Sequence, residues 1–139
     1  MAIRKVEVIA DKAPKTVGPY PQGIKVDDFV FTSLILPLNA EGTAIIGKDV
    51  GNQTKQCIKN LSLILDPVCA VLTQVCKLNV YLANISDIPV VDAILKDELI
   101  ASPPARTVIG GVQLPYKVLI AIDAVVRITQ ATTQGAGVI

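Results

Sequence analysis

Hydrophobic spacing divides the chain into alternating strand-like and helix-like stretches. From Asn52 to Leu65 the apolar residues Cys57, Ile58, Leu61, Ile64 and Leu65 recur at the three- and four-residue steps of an amphipathic helix, with Lys55 and Lys59 opposite them. Asp66-Pro67 ends it, because the residue before proline is pushed out of the helical region. A second helix follows Asn84, capped by Ser86 or Asp87, with Pro89 in its first turn and Val91, Ile94, Leu95 and Leu99 on its apolar face. Pro103-Pro104 follows its end.

Strands are predicted at Val6–Ala10 and Val75–Leu82, and in a hairpin of Gly23–Val26 with Phe29–Ser33 that turns at Asp27-Asp28. Two more, Thr107–Val112 and Val118–Ile128, are joined by the turn Leu114-Pro115-Tyr116-Lys117. Pro14, Gly18, Pro19 and Pro21 impose an irregular, extended connection that holds Tyr20. The order ββ(β)αβαββ describes an α+β domain, with two helices covering one face of a mixed sheet. Residues 1–128 form this single domain, and 129–139, small and polar, form a flexible C-terminal tail.

Composition adds to this picture. Of the 139 residues 51% are hydrophobic and only 4% aromatic, so the core is aliphatic and the apolar excess calls for cover from partner subunits. A net charge of +1, with acids and bases interspersed, gives no footprint for nucleic acid. No apolar run reaches the roughly 18 residues of a membrane span. The alternation around Glu7 reads as a strand rather than a leader, which points to the cytoplasm. Cys57, Cys69 and Cys76 lack a Cys-x-x-Cys spacing and sit among apolar residues, as buried reduced thiols do. The absence of histidine removes Ser-His-Asp and Cys-His chemistry and the usual zinc ligand sets, so neither metal nor cofactor is expected.

Within Pro103-Pro104-Ala105-Arg106-Thr107-Val108-Ile109-Gly110-Gly111, Arg106 places a lone guanidinium in a nearly uncharged, β-prone run. Its planar fork suits a carboxylate, although a structural ion pair or a subunit contact would also use it. Asp27 with Asp28, and Asp97 with Glu98, read as solvated surface acids.

Several motifs stand in one order: Gly18-Pro19-Tyr20-Pro21-Gln22-Gly23, Phe31-Thr32-Ser33 with Leu36-Pro37-Leu38-Asn39, Gln53-Thr54-Lys55-Gln56 with Asn60-Leu61, Lys77–Leu82, and Pro104-Ala105-Arg106 ahead of Pro115. From about Ala13 to Val126 the chain resembles the RidA family, also called YjgF or L-PSP, whose members deaminate reactive enamines and imines. The resemblance implies a chorismate-mutase-like fold, a homotrimer with ligand clefts between subunits, and a small 2-imino or 2-oxo acid as ligand. It assigns the ligand's carboxylate to Arg106, cleft closure to the Tyr20 ring, and a place in the pocket to Ser33.

Departures from the family pattern concern the same site. Leu34 stands where the family has glycine, Val108 where it has a small residue such as cysteine, and Asp92 where it has asparagine. Ala121 replaces the glutamate thought to position or activate water. Asp123 lies about 7 Å further along the same strand face and is a possible substitute acid, or else pairs with Lys or Arg across an interface. Three functions stay open: a weakened 2-iminobutanoate/2-iminopropanoate deaminase, a carboxylate-binding or regulatory trimer without turnover, and an endoribonuclease.

Overall fold

A computed structural model describes residues 4–99 and 101–128; the expected tail at 129–139 lies outside them. The elements follow the order β1 (Val6–Val8), β2 (Gly23–Val26), β3 (Phe29–Thr32), α1 (Val50–Leu65), β4 (Val75–Leu82), α2 (Ile88–Glu98), β5 (Ala105–Ile109) and β6 (Ile120–Arg127). One sheet holds all six strands, in spatial order β1-β2-β3-β6-β4-β5. Only the β4–β5 pair is parallel, since α2 carries the chain back over the sheet between them. No helix among the described residues is long and apolar enough to cross a membrane.

Strand alternation sorts the side chains. Val30, Leu78, Val80, Ile120, Ile122, Ala124 and Val126 point toward the helices and form one core with Ile58, Leu61, Leu65, Val91 and Leu95. The registers Ile24↔Phe31, Phe31↔Val125 and Asn79↔Asp123 put the intervening residues on the face without helices. There Phe29 and Phe31 stay 39% and 45% exposed, their ring centroids 6.3 Å apart. One face of the sheet is thus left open with apolar side chains exposed on it, as the sequence pattern anticipates.

Two expectations need correction. The last two strands are not neighbours, because β4 lies between β5 and β6. The Gly110–Leu119 connection therefore passes from the edge of the sheet to its interior, and β5 stops at Ile109 rather than Val112. Gly110 sits there because a Cβ would come within 2.5 Å of the Ile85 side chain, and Gly111 takes φ +72°. Of the three cysteines only Cys57 is buried; Cys69 and Cys76 are exposed, the latter where the β4–β6 register shifts between Val75 and Lys77.

Polar groups on the buried side of α1 fasten the irregular segment after β3. Asp49 caps the helix, accepting from the Asn52 N–H at 2.8 Å, which starts it two residues before the predicted Asn52. Asn60, 1% exposed, donates to the carbonyls of Leu36 at 2.9 Å and Leu38 at 3.1 Å and accepts from Gln56. Gln53 donates to Gly47 O and accepts from Leu119 N–H at 2.8 Å. The Gln53–Gln56 and Asn60 motif thus holds backbone that no ladder satisfies. Asn60→Ala would leave two carbonyls without these donors, and chemical denaturation should show a loss of about 2 kcal/mol; an unchanged unfolding midpoint would mean that water replaces the amide without cost.

Candidate functional site

Arg106 lies on β5, an edge strand, in register with the buried Leu78, so its side chain emerges on the helix side of the sheet. Packing of Val91, Leu95 and Leu99 against the sheet turns Asp92 of α2 toward it. The Arg106 Nη1 group forms an ion pair with Asp92 Oδ1. Both side chains remain partly open to solvent, at 34% and 45%. They border an open cavity of about 430 Å³ with Leu78, Leu95, Leu99 and Pro104 as apolar lining and Lys96 as a second cation. Arg106, the lone cation of its stretch of sequence, is therefore already paired within its own chain, and the acid that pairs it is the Asp92 departure.

Tyr20 occupies a different crevice. Its ring folds over Gly18, where a Cβ would come within 2.7 Å of the ring. Gln22 anchors the segment, accepting from Ala10 N–H at 2.7 Å and donating to Ala10 O at 3.0 Å and Pro14 O at 2.9 Å. The Ser33 hydroxyl donates to Pro21 O at 2.7 Å. Ser33 is thus engaged in holding the Tyr20 loop. Leu34, 39% exposed, lines this crevice with Tyr20 and Ser33, and the free space is only about 40 Å³. Behind it Ile35 bridges to Ile122, with N–H···O distances of 2.6 and 3.0 Å.

A third group lies on the face without helices. Ala121, fully buried, stands opposite Tyr81 in the β4–β6 register, and Asp123 stands opposite Asn79. Asp123 accepts from Asn79 Nδ2 at 2.7 Å and from the Tyr81 hydroxyl at 2.8 Å. Within the chain its two oxygens are taken by neutral donors. Its hydrogen bond, followed by burial and the carboxylate's charge, raises the Tyr81 phenol above its ordinary value. Lys77 on the same face donates to Thr107 Oγ1 at 2.7 Å.

Within one chain the expected site residues are therefore distributed rather than gathered. Arg106, Val108 and Asp92 lie on the helix side of β5; Tyr20, Ser33 and Leu34 line the loop crevice; Ala121 and Asp123 face away from the helices. Asp27 and the Asp97–Glu98 pair lie at the surface, although Asp28 is only half-exposed. Sequence reasoning did not single out Asn79 and Tyr81 as partners of Asp123, nor Lys96 in the cavity. Period-two alternation in Lys77–Leu82 carried the signal for the first two, since it places Lys77, Asn79 and Tyr81 on one face. Burial pushes the Cys57 thiol strongly up and makes it inert. Among the described residues no group of three or more His, Cys, Asp or Glu could hold a metal.

Comparison with known proteins defines the class first. The crystal structure of RidA from the Antarctic bacterium Psychrobacter sp. PAMC 21119 superposes with a TM-score of 0.84 at 28% identity, covering 88% of this chain and 99% of that one. The family model described as Endoribonuclease L-PSP matches residues 10–128, and the chain belongs to this RidA/YjgF/L-PSP family. A RutC family protein of Pyrococcus abyssi is 36% identical over 121 residues, 87% of this chain and 95% of that protein. The human 2-iminobutanoate/2-iminopropanoate deaminase is 32% identical over 123 residues, 88% and 89% of the two chains.

The Tyr81–Asp123 pair is open to a direct check. A phenol whose folded pKa is raised contributes stability that is fully present below its unfolded pKa, about 10, and is lost as pH rises through the folded value. Tyr81→Phe should lower the melting temperature at pH 7, and its deficit relative to wild type should shrink above pH 10 or so. A deficit that stayed constant through that range would show that the hydrogen bond is not what the substitution removes.

Proposed function

We propose that the protein is a RidA-like deaminase of small 2-imino acids with a weakened site, working in the cytoplasm as a homotrimer whose clefts lie between subunits. The observation that carries the reading is Arg106 at the sheet edge, facing an open cavity with apolar lining. A carboxylate there meets a charged fork, and the rest of a short acid meets Leu78, Leu95 and Leu99. Support for the trimer comes from the apolar, uncovered sheet face with Phe29 and Phe31. Assembly would also bring a neighbour's Tyr20 loop toward the β5 edge, joining groups that one chain keeps apart.

The chemistry is hydrolysis at C2. Water's oxygen bonds to the imine carbon as the C=N π pair moves to nitrogen. One proton passes from the added water to that nitrogen to give a carbinolamine; as the remaining hydroxyl proton follows it, the oxygen's electron pair forms the C=O bond, the C–N bond breaks and ammonia departs, leaving a 2-oxo acid. Arg106 orients the carboxylate, the Tyr20 ring excludes bulk solvent, and backbone carbonyls near Arg106 and Val108 hold the water. A positioned acid or base accelerates such proton transfers by about 10²- to 10⁴-fold. Ala121 offers only a methyl group for this, and Asp123 is occupied by Asn79 and Tyr81. The same observation favours a second reading, a carboxylate-binding regulatory trimer without turnover. Endoribonuclease action has less support, because a chain with no histidine and a net charge of +1 lacks both the usual base and a binding groove for phosphodiesters.

Ammonia release from enzymatically generated imines tests the first reading. Arg106→Ala should abolish it with the trimer intact by sedimentation; dissociation would make the arginine structural. Ala121→Glu should raise the rate modestly, and with Leu34→Gly by about 10²-fold. Strict additivity of the two changes would separate them in space. Wild-type turnover equal to that of glutamate-bearing relatives would end the weakened-site reading.

A further inference from the structure

Arg106 and Asp92 together form a receptor of two opposite charges. Only Nη1 of the guanidinium reaches Asp92, and only through Oδ1. Among the described residues, neither the other guanidinium N–H groups nor Asp92 Oδ2 has a side-chain partner. Both groups point into the same open cavity and both keep solvent access. A carboxylate arriving at the free edge of the fork therefore comes to rest beside an unspent anionic oxygen.

We propose that Asp92 is a specificity-determining residue that makes this cavity select acids with a cationic nitrogen on C2, the protonated 2-imino acids and 2-amino acids, over 2-oxo acids. The inference rests on the deaminase reading and sharpens it. A 2-oxo acid presents a carboxylate and a carbonyl oxygen, so Asp92 Oδ2 faces an acceptor and gains nothing. A protonated imino acid presents the same carboxylate to Arg106 and N–H donors to Asp92. Charge-assisted hydrogen bonds of that kind are the stronger ones, and their loss leaves a carboxylate against a lone pair.

Selection of this sort separates substrate from product. Hydrolysis converts the C2 nitrogen, the group Asp92 holds, into ammonia and leaves an oxygen that it repels. The acid thus favours the reactive protonated imine, whose carbon is the more electrophilic, and disfavours retention of the 2-oxo acid. Lys96, one helical turn from Asp92, keeps the cavity net positive, so the carboxylate is still attracted.

Calorimetric titration with 2-aminobutanoate, a stable cation-bearing analogue, and with 2-oxobutanoate tests the idea on wild type, Asp92→Asn and Asp92→Glu. Wild type should prefer the amino acid by about tenfold, Asp92→Asn should lose that preference by strengthening the 2-oxo acid and weakening the amino acid, and Asp92→Glu should restore it at least in part. Melting curves should match those of wild type if the exposed, near-isosteric Asn variant is folded. If both ligands bind and their affinity ratio is the same in wild type and Asp92→Asn, Asp92 is only a structural partner of Arg106 and the proposal fails while the deaminase reading stands. If neither ligand binds any of the three proteins, both the selectivity and the carboxylate clamp are overturned.

Discussion

Strict two-residue alternation in a sheet packed on one side is the constraint on which the rest depends. Leu78 and Ile122 must face the helices, so their register partners and neighbours have no choice of side: Arg106 goes with Leu78, and Ala121 and Asp123 go the other way. A slip of one residue in β5 would exchange Arg106 for Thr107 and lose the Asp92 contact, while burying a threonine against the core. Register is therefore tied to the hydrophobic core, and the core in turn decides where the charges stand. Within one chain Arg106 therefore stands apart from Ala121 and Asp123, which is the ground on which the proposed function invokes a neighbour.

Carboxylates are redistributed across this frame. The family resemblance places an acid at the position of Ala121, on the sheet face without helices, and a neutral amide at the position of Asp92. Here the sheet position carries a methyl group and the helix position carries the charge. The nearby acid on β6, Asp123, accepts from Asn79 and Tyr81 at 2.7 and 2.8 Å, so both of its oxygens already have partners within the chain. Among the candidate residues the charged groups Arg106, Asp92 and Lys96 thus stand together at the cavity between α2 and β5.

What was legible in the sequence follows from the range of the interactions involved. Helices α1 and α2 showed in the three- and four-residue spacing of Ile58, Leu61 and Leu65 and of Val91 and Leu95, because that spacing is a local property. The β2–β3 hairpin was legible for the same reason, through Asp27-Asp28 between two β-prone runs; Asp27 takes φ 51° there. Insertion of β6 between β3 and β4 was not, since nothing in a strand's own residues says which distant strand it will pair with. Exposure of Cys76 depends on a register shift, and exposure of Cys69 on its left-handed φ of 58° after α1; neither leaves a mark in local hydropathy. At the site, the motifs named Arg106, Tyr20 and Ser33 but not their bonds. Ser33 turned out to support the loop, and Asp92 to be the arginine's own partner.

That last difference has a physical reason. Without a partner in view, a lone arginine in an apolar run reads as a ligand clamp, because an unpaired guanidinium beside apolar surface must find an anion. Asp92 lies 14 residues away and meets it only because α2 crosses back over the sheet to start a parallel strand. The crossover that makes β4 and β5 parallel is thus the same feature that brings the anion to the cation. A protein in which an anion is built in beside the arginine no longer binds by charge neutralisation alone, and any small acid that settles there must suit the pair rather than the arginine.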